Sequence, residues 1–202
     1  MAKQNKSLAL SNPATNTSTT IYKVPTGKYA VAKSVVINNS SNADLTFRLI
    51  IGGAYVAYTH TLKSRDTLVI NDLDFPLLPG EEIVVLASSS SLTIRVSGFE
   101  NDYVASEYPY MKVNALPVSN IGLIAKNSDV IIRSVIICNT GAAVTNIYVG
   151  APWTITSKDI KPYDSLLLLN LQYYVPESHN IGYQQTLGTG GTVTFILEKV
   201  VQ

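Results

Sequence analysis

Short apolar segments separated by polar turns recur along the whole chain. The segments are rich in Val, Ile, Leu and Tyr, and stretches of Gly, Pro, Asn and Ser divide them. This spacing is typical of the short antiparallel strands of a sandwich or barrel, and no segment keeps a helical period. In the first half of the chain, the predicted strands cover residues 21–24, 29–37, 45–51, 67–70, 83–86 and 92–96.

The same pattern occurs twice. Residues 33–39 read KSVVINN, and residues 133–139 read RSVIICN. Residues 66–73 read DTLVINDL, and residues 164–171 read DSLLLLNL. Because one active site rarely needs two copies of a whole module, the duplication indicates a repeated framework and favours a binding or structural role.

The repeat predicts an all-β fold of two tandem antiparallel β-sandwiches, of jelly-roll or immunoglobulin-like type, that arose by internal duplication. The predicted boundaries give a flexible N-terminal arm at residues 1–19, repeat one at 20–100, a Tyr/Pro-rich linker at 101–120 and repeat two at 121–202. The arm is expected to be flexible alone, or ordered on a partner, because it is rich in Asn, Ser and Thr, which bury too little apolar surface to offset the entropy of ordering.

The strand shared by the two repeats also predicts a register. Lys33 and Arg133 occupy the same position in the two copies, and strand side chains alternate between faces, so the odd-numbered face should be the wetter one. Cys138 should then point inward with Ile132 and Ile136. Apolar residues also occupy the odd face, so we expect a second cover, supplied by the sister repeat, the linker or another subunit.

Composition and charge narrow the possible functions. Hydrophobic residues make up 46% of the chain and charged residues 14%, against about 25% charged in a typical domain. The net charge is +1 without a cluster of Lys and Arg, so we expect no nucleic-acid partner. No apolar run approaches the roughly 20 residues that cross a bilayer, so we expect no membrane partner. A chain this apolar should hide some surface against other subunits.

Aromatic residues concentrate in the predicted linker. Tyr103, Tyr108, Tyr110 and Met111 lie there, and aromatic residues and Met are enriched in interface cores. These four are therefore candidate interface residues, with an ordinary linker packed on its own domain as the alternative. Trp153, the only tryptophan, is a weak ligand candidate that would stack on a sugar together with a nearby tyrosine; the alternative is a core position.

Patterns for catalysis, metal binding and cofactor binding are missing from the sequence. The two histidines, His60 and His179, occupy non-equivalent positions in the repeats, and no nucleophile elbow of the G-x-S-x-G type occurs. Asp72 and Asp74 lack the other oxygen ligands of a calcium loop. Cys138 is the single cysteine and has no partner for a disulfide or a Cys-rich zinc site. We therefore expect no catalytic residue, no metal, no cofactor and no enzymatic activity.

Five segments together carry a likeness to a known group of proteins. They are IYKVPTGK at residues 21–28, KSVVINN at 33–39, LLPGEEI at 77–83, VSGFE at 96–100 and RSVIICN at 133–139. This combination resembles the small β-sandwich modules of virion proteins in tailed bacteriophages. The resemblance spans most of both repeats but neither the arm nor the linker, and repeat two departs from it by lacking the first-turn Gly and the Pro-Gly turn.

The resemblance implies a non-catalytic structural component of a tailed-phage virion. Such a protein would be an accessory protein on the capsid, neck or tail, present as a symmetric oligomer. Its partners would be copies of itself and other virion proteins, without a cofactor, and it would be assembled in the host cytoplasm and located in the virion. The alternative is a receptor- or carbohydrate-binding module of a phage tail or fibre, with Trp153 and exposed tyrosines as its binding residues.

Overall fold

The computed structural model of the chain describes residues 5–116, 121–151 and 153–200. The regular structure of these residues is all β-strand, and the paired strands run antiparallel. None of the described residues belongs to a helix that is long and apolar enough to cross a membrane. The chain divides into two compact units, Met1–Tyr108 (unit 1) and Pro109–Gln202 (unit 2). The predicted all-β class with antiparallel sheets is confirmed for the described part.

Unit 1 contains two antiparallel sheets. Sheet A has the strand order β1-β9-β3-β6, with β7 also paired to β3, and sheet B has the order β2-β8-β4-β5. The described strands are β1 (Lys6–Ser11), β2 (Thr19–Lys23), β3 (Lys28–Asn39), β4 (Leu45–Ile51), β5 (Ala54–Leu62), β6 (Thr67–Ile70), β7 (Phe75–Leu77), β8 (Glu82–Ala87) and β9 (Leu92–Asp102). The pairings are nested, with β4–β5 innermost and β1–β9 outermost.

Unit 2 repeats this arrangement strand for strand. Sheet C has the order β10-β18-β12-β15, with β16 also paired to β12, and sheet D has the order β11-β17-β13-β14. The described strands are β10 (Tyr110–Ala115), β11 (Gly122–Ile124), β12 (Val130–Asn139), β13 (Thr145–Ala151), β14 (Trp153–Ile160), β15 (Ser165–Leu168), β16 (Tyr173–Val175), β17 (Ile181–Leu187) and β18 (Gly191–Lys199). The sequence repeat therefore corresponds to a repeat of topology.

Both sheets of unit 2 contribute to one hydrophobic core. Its members come from β11, β13, β14 and β17 of sheet D as well as from β12, β16 and β18 of sheet C, so the inner faces of the two sheets cover each other. The buried members are Ile124, Val130, Ile132, Val135, Ile137, Ile147, Val149, Ala151, Ile160, Val175, Ile181, Val193, Phe195 and Leu197. In unit 1, Phe47 of sheet B and Phe75 and Phe99 of sheet A are among the largest fully buried side chains.

The predicted register is wrong beyond a β-bulge in each repeat. The pairing of β12 with β18 shifts between Ile132 and Ser134, around Arg133, and β3 shifts around Lys33 in the same way. A bulge inserts one residue into a strand, so it reverses which side chains face the core. Ile132 therefore shares the core of unit 2 with Val135 rather than with its even-numbered neighbours.

Both faces of β12 are buried after the bulge. Ile136 and Cys138 are 1% and 0% exposed, although neither belongs to the core cluster of unit 2. The expectation that both faces are covered is met, whereas the predicted grouping of Cys138 with Ile132 on one face is not. Burial raises the pKa of the Cys138 thiol to about 11.

Residues 6–11 form a strand where a flexible arm was expected. Lys6–Ser11 pairs with β9 at the edge of sheet A, and Leu8 and Ala9 are buried. Gly98 allows β9 to pack closely against both of its neighbours, because a Cβ atom there would lie 2.0 Å from the carbonyl oxygen of Val31 in β3 and 2.9 Å from Cδ1 of Leu8 in β1. The segment is polar overall, but the burial of Leu8 and Ala9 fixes it to the sheet. Residues 1–4 lie outside the described residues.

Much of the predicted linker also belongs to the sheets. Strand β9 continues to Asp102, and Tyr110–Ala115 forms β10, which pairs with β18. Strand β10 is the counterpart of β1 in unit 2, so each unit begins with an edge strand that pairs with its own last strand. Residues 117–120 of the predicted linker lie outside the described residues.

Candidate functional site

A cleft lies in unit 1 where β3 begins and β9 ends. In the pairing of these strands, Tyr29 lies opposite Asn101 and Lys28 lies opposite Asp102. The Asn101 side-chain amide donates a hydrogen bond to the Tyr29 hydroxyl oxygen, at 3.0 Å. The ammonium group of Lys28 forms an ion pair with the Asp102 carboxylate at 2.5 Å. The register of the two strands thus places one aromatic ring, one amide and one carboxylate together.

A turn after β9 supplies the other side of the cleft. The backbone N–H of Tyr103 donates to the carbonyl oxygen of Gly27 at 2.9 Å, and that of Glu107 donates to the carbonyl oxygen of Val104 at 3.0 Å. Gly27 has a φ of 73°, a left-handed conformation that glycine adopts without strain. The turn brings Tyr108 back towards the strands it has just left.

Aromatic contacts connect this turn to the core of unit 1. Tyr29 meets the buried Phe99 edge-on, with ring centroids 6.3 Å apart. Tyr108 meets Tyr29 at 5.2 Å and Tyr103 at 5.5 Å, also in edge-to-face geometry. Such pairs contribute about 0.5–1.5 kcal/mol each beyond the area they bury. The buried Phe99 therefore supports Tyr29, and Tyr29 in turn supports Tyr108.

The cleft has a volume of about 260 Å³. Its walls combine two tyrosine rings and an exposed valine with one amide and two carboxylates. The lining residues are Tyr29, Asn101, Asp102, Val104, Glu107 and Tyr108. This mixture of aromatic surface and hydrogen-bonding groups suits a small polar ligand.

The four predicted interface residues fall into two separate places. Tyr103 and Tyr108 form the aromatic turn of unit 1. Tyr110 and Met111 lie on β10 in unit 2, opposite Glu198 and Leu197 of β18, and the side chain of Met111 packs against the core of that unit. Their role at an interface stays a prediction.

The backbone of Trp153 begins β14 and lies opposite Ala151. Its side chain lies outside the part of the chain that the structure describes. The two predicted roles of this side chain, stacking on a sugar or packing in the core, concern a group outside the described residues.

The two histidines and Asp74 have structural partners. His60 contacts Phe47 edge-on at 5.5 Å, and the Nδ1 atom of His179 lies 3.2 Å from the Ser178 hydroxyl. Asp74 forms an ion pair with Lys33. Among residues 5–116, 121–151 and 153–200, no group of three or more His, Cys, Asp or Glu side chains is placed to hold a metal ion.

Two features were missed by the sequence reasoning. The sequence pattern predicts only that Tyr29 lies in a strand. Its ring contact with Tyr108 depends on the turn that follows β9. Asn39 and Asn139 lie where the pattern of Asn, Ser and Gly after a strand indicates polar turns, yet both are fully buried. The recurrence of Asn at the same place in both repeats was the available signal for this second feature.

No family model and no curated protein matches the chain. Among solved structures, it is similar to the major capsid protein P2 of bacteriophage PM2, with 11% identity, a TM-score of 0.38 and coverage of 100% of this chain and 99% of that chain. It is also similar to a protein in the structure of Sulfolobus turreted icosahedral virus, with 10% identity, a TM-score of 0.27 and coverage of 96% and 58%.

A third similar structure is a conserved protein of unknown function from Pseudomonas aeruginosa PAO1. The identity is 9%, the TM-score is 0.27, and the match covers 85% of this chain and 75% of that chain.

Proposed function

We propose that each unit is a β-sandwich of the jelly-roll type. The nested pairings support this assignment, because the first strand of each unit pairs with the last and the chain passes repeatedly between two sheets. An immunoglobulin-like sandwich keeps its sequence-adjacent strands A and B in one sheet. Here β1 and β2 belong to different sheets, and so do β10 and β11. The core shared by both sheets of unit 2 supports the sandwich.

We further propose that the protein is a non-catalytic structural component of a virion. The observation that carries this proposal is the strand order that both units share, because duplication of a whole framework multiplies surfaces for assembly rather than copies of one catalytic site. The segments that resemble phage virion modules lie on this framework, including the strand that forms most of β3. In finer detail, we propose an accessory protein on the capsid, neck or tail of a tailed phage.

A row of side chains on the outer face of sheet A is suited to contacts between copies. Leu10 lies opposite Arg95, Arg95 opposite Val36, and Val36 opposite Val69. Leu10 and Val69 are 65% and 50% exposed. Exposed apolar side chains around an arginine are typical of the centre of a protein interface, so this row supports a symmetric oligomer.

Light scattering across a range of concentrations tests the oligomer. The wild-type chain should form one defined oligomer, and the double variant Leu10→Glu with Val69→Glu should shift the equilibrium towards the monomer. Val144→Glu changes a side chain of unit 2 that is 40% exposed and serves as the control. A wild-type chain that stays monomeric at every concentration would count against the proposed role.

A further inference from the structure

We propose that the cleft between Tyr29 and Tyr108 binds one sugar ring of a neutral glycan. Its volume, about 260 Å³, lies just below the usual range of small-molecule sites, about 300–1,000 Å³. A single ring with its hydroxyl groups fits this size better than an oligosaccharide does. All the lining residues belong to unit 1, so the inference does not depend on the proposed place in a virion.

The tyrosine rings supply an apolar wall for the C–H face of a sugar ring. A tyrosine is amphipathic, with an apolar body and a polar hydroxyl group, and C–H groups make weak favourable contacts with aromatic and carbonyl acceptors. The rings of Tyr29 and Tyr108 are already held in contact, with the buried Phe99 behind Tyr29. A wall that is fixed before binding lowers the entropy lost when the ligand is ordered.

The polar groups of the cleft match hydroxyl groups, which both donate and accept hydrogen bonds. The Asp102 and Glu107 carboxylates accept hydrogen bonds, and bonds to an ionised acceptor are the stronger kind. The Tyr29 hydroxyl already accepts a hydrogen bond from Asn101, so its own proton is directed to another acceptor. A ligand that carries only hydrogen-bond donors would offer no acceptor to this hydroxyl group.

Charge disfavours two other classes of small ligand. Two carboxylates line the cleft, and like charges repel, so uronic or sialic acids should be rejected. Asp102 is already paired with Lys28, which reduces the attraction that a purely cationic ligand would gain. Hexoses and N-acetylhexosamines remain the best match in charge and hydrogen bonding.

Saturation-transfer NMR on the full chain tests the ligand class. The probes are glucose, galactose, mannose, N-acetylglucosamine, glucuronate and argininamide. We expect saturation transfer to at least one neutral sugar, with weaker or no transfer to glucuronate and argininamide. If no neutral sugar shows transfer, or if argininamide alone binds, the inference is overturned.

Variants locate the binding in the cleft. Glu107→Gln should weaken sugar binding by about tenfold, because it replaces a charged acceptor with a neutral one. Glu177→Gln removes a carboxylate of unit 2 that is also exposed and should leave the affinity unchanged. Tyr108→Ala should abolish binding, whereas Tyr108→Phe keeps the ring and should retain it.

The affinity of Glu107→Gln for a neutral sugar tests the proposed site even if Tyr108→Ala fails to fold. An unchanged affinity in folded Glu107→Gln, with its near-ultraviolet circular dichroism like that of the wild type, would contradict the inference. Oligomer formation is measured separately by light scattering. A chain that associates but binds no neutral sugar would therefore overturn this inference and leave the proposed structural role standing.

Discussion

Asn39 and Asn139 occupy equivalent positions in the two units and make equivalent hydrogen bonds. The Asn39 amide donates to the carbonyl oxygens of residues 43, 62 and 63 at 2.8, 3.3 and 2.9 Å. The Asn139 amide donates to those of residues 143, 160 and 161 at 2.7, 3.1 and 3.0 Å. Each side-chain oxygen accepts from the backbone N–H two residues later. Each asparagine thus ties the end of its strand to two neighbouring loops.

Replacing either asparagine should destabilise its own unit. Asn39→Ala and Asn139→Ala each remove three hydrogen bonds to backbone carbonyl groups, one of them buried, and a buried group left without a partner costs about 1–3 kcal/mol. We expect each variant to lose about 2–3 kcal/mol of unfolding free energy in urea titrations. Asn38→Ala is the matched control, because Asn38 is partly exposed. Equal losses for Asn38→Ala and Asn39→Ala would refute the proposed role of the buried amide.

Two leucines on β1 test whether the N-terminal segment is part of the fold. Leu8 is 8% exposed, whereas Leu10 is 65% exposed. Leu8→Ala should lower the unfolding free energy by about 2–3 kcal/mol through lost burial and the cavity it leaves. At concentrations where the chain is monomeric, Leu10→Ala should change it by no more than about 0.5 kcal/mol. A flexible arm predicts that neither variant changes the stability.

Glu100 should make the stability of unit 1 depend on pH. Its carboxylate accepts a hydrogen bond from the Tyr22 hydroxyl at 2.7 Å and pairs with the Lys6 ammonium at 2.8 Å. Burial raises the pKa of Glu100, but the bonds from Lys6 and Tyr22 outweigh burial, and the pKa lies below its ordinary value. These contacts join β1, β2 and β9, so they connect both sheets.

The sign of this pH dependence follows from linkage. A group whose pKa is lower in the folded state stabilises the fold above its ordinary pKa, about 4.3 for Glu. That stability is lost as the pH falls through the folded pKa. The unfolding free energy should therefore decrease from about pH 6 towards pH 3, and Glu100→Gln should show a smaller decrease than the wild type. Equal slopes in the two proteins would show that Glu100 contributes nothing.

Cys138 should be inert in the folded protein. It is fully buried, and burial raises its thiol pKa to about 11, so little of the reactive thiolate forms near neutral pH. With a chromogenic thiol reagent at pH 8, we expect slow labelling of the native chain and rapid labelling of one thiol in urea. Rapid labelling without urea would show that this face of β12 is open to solvent.

The repeat of the framework was predictable from the sequence, because equivalent strands kept equivalent residues. Residues 66–73 and 164–171 match in sequence, and the strands they contain, β6 and β15, occupy the same place in the sheets. Even special backbone conformations recur, since Asp72 and Asn170 have φ values of 55° and 54°. Hydrophobic pattern and turn residues are local properties, so they can be read directly from the chain.

The register, the edge strands and the cleft were not predictable in the same way. A bulge at Lys33 or Arg133 has no sequence signature of its own, yet it changes which residues face the core. Strand β1 buries only Leu8 and Ala9, too few apolar residues to stand out in a polar segment. The cleft depends on the contact of Tyr29 with Tyr108, a residue far along the chain that the turn after β9 brings back.

The most direct test of the central claim is electron cryo-microscopy of virus particles produced by the genome that encodes this chain. We predict symmetric density in which each copy contributes two sandwiches of the same strand order, with the Leu10 and Val69 face against a neighbouring subunit. Particles that are complete without this chain at any position on the capsid, neck or tail would contradict the account.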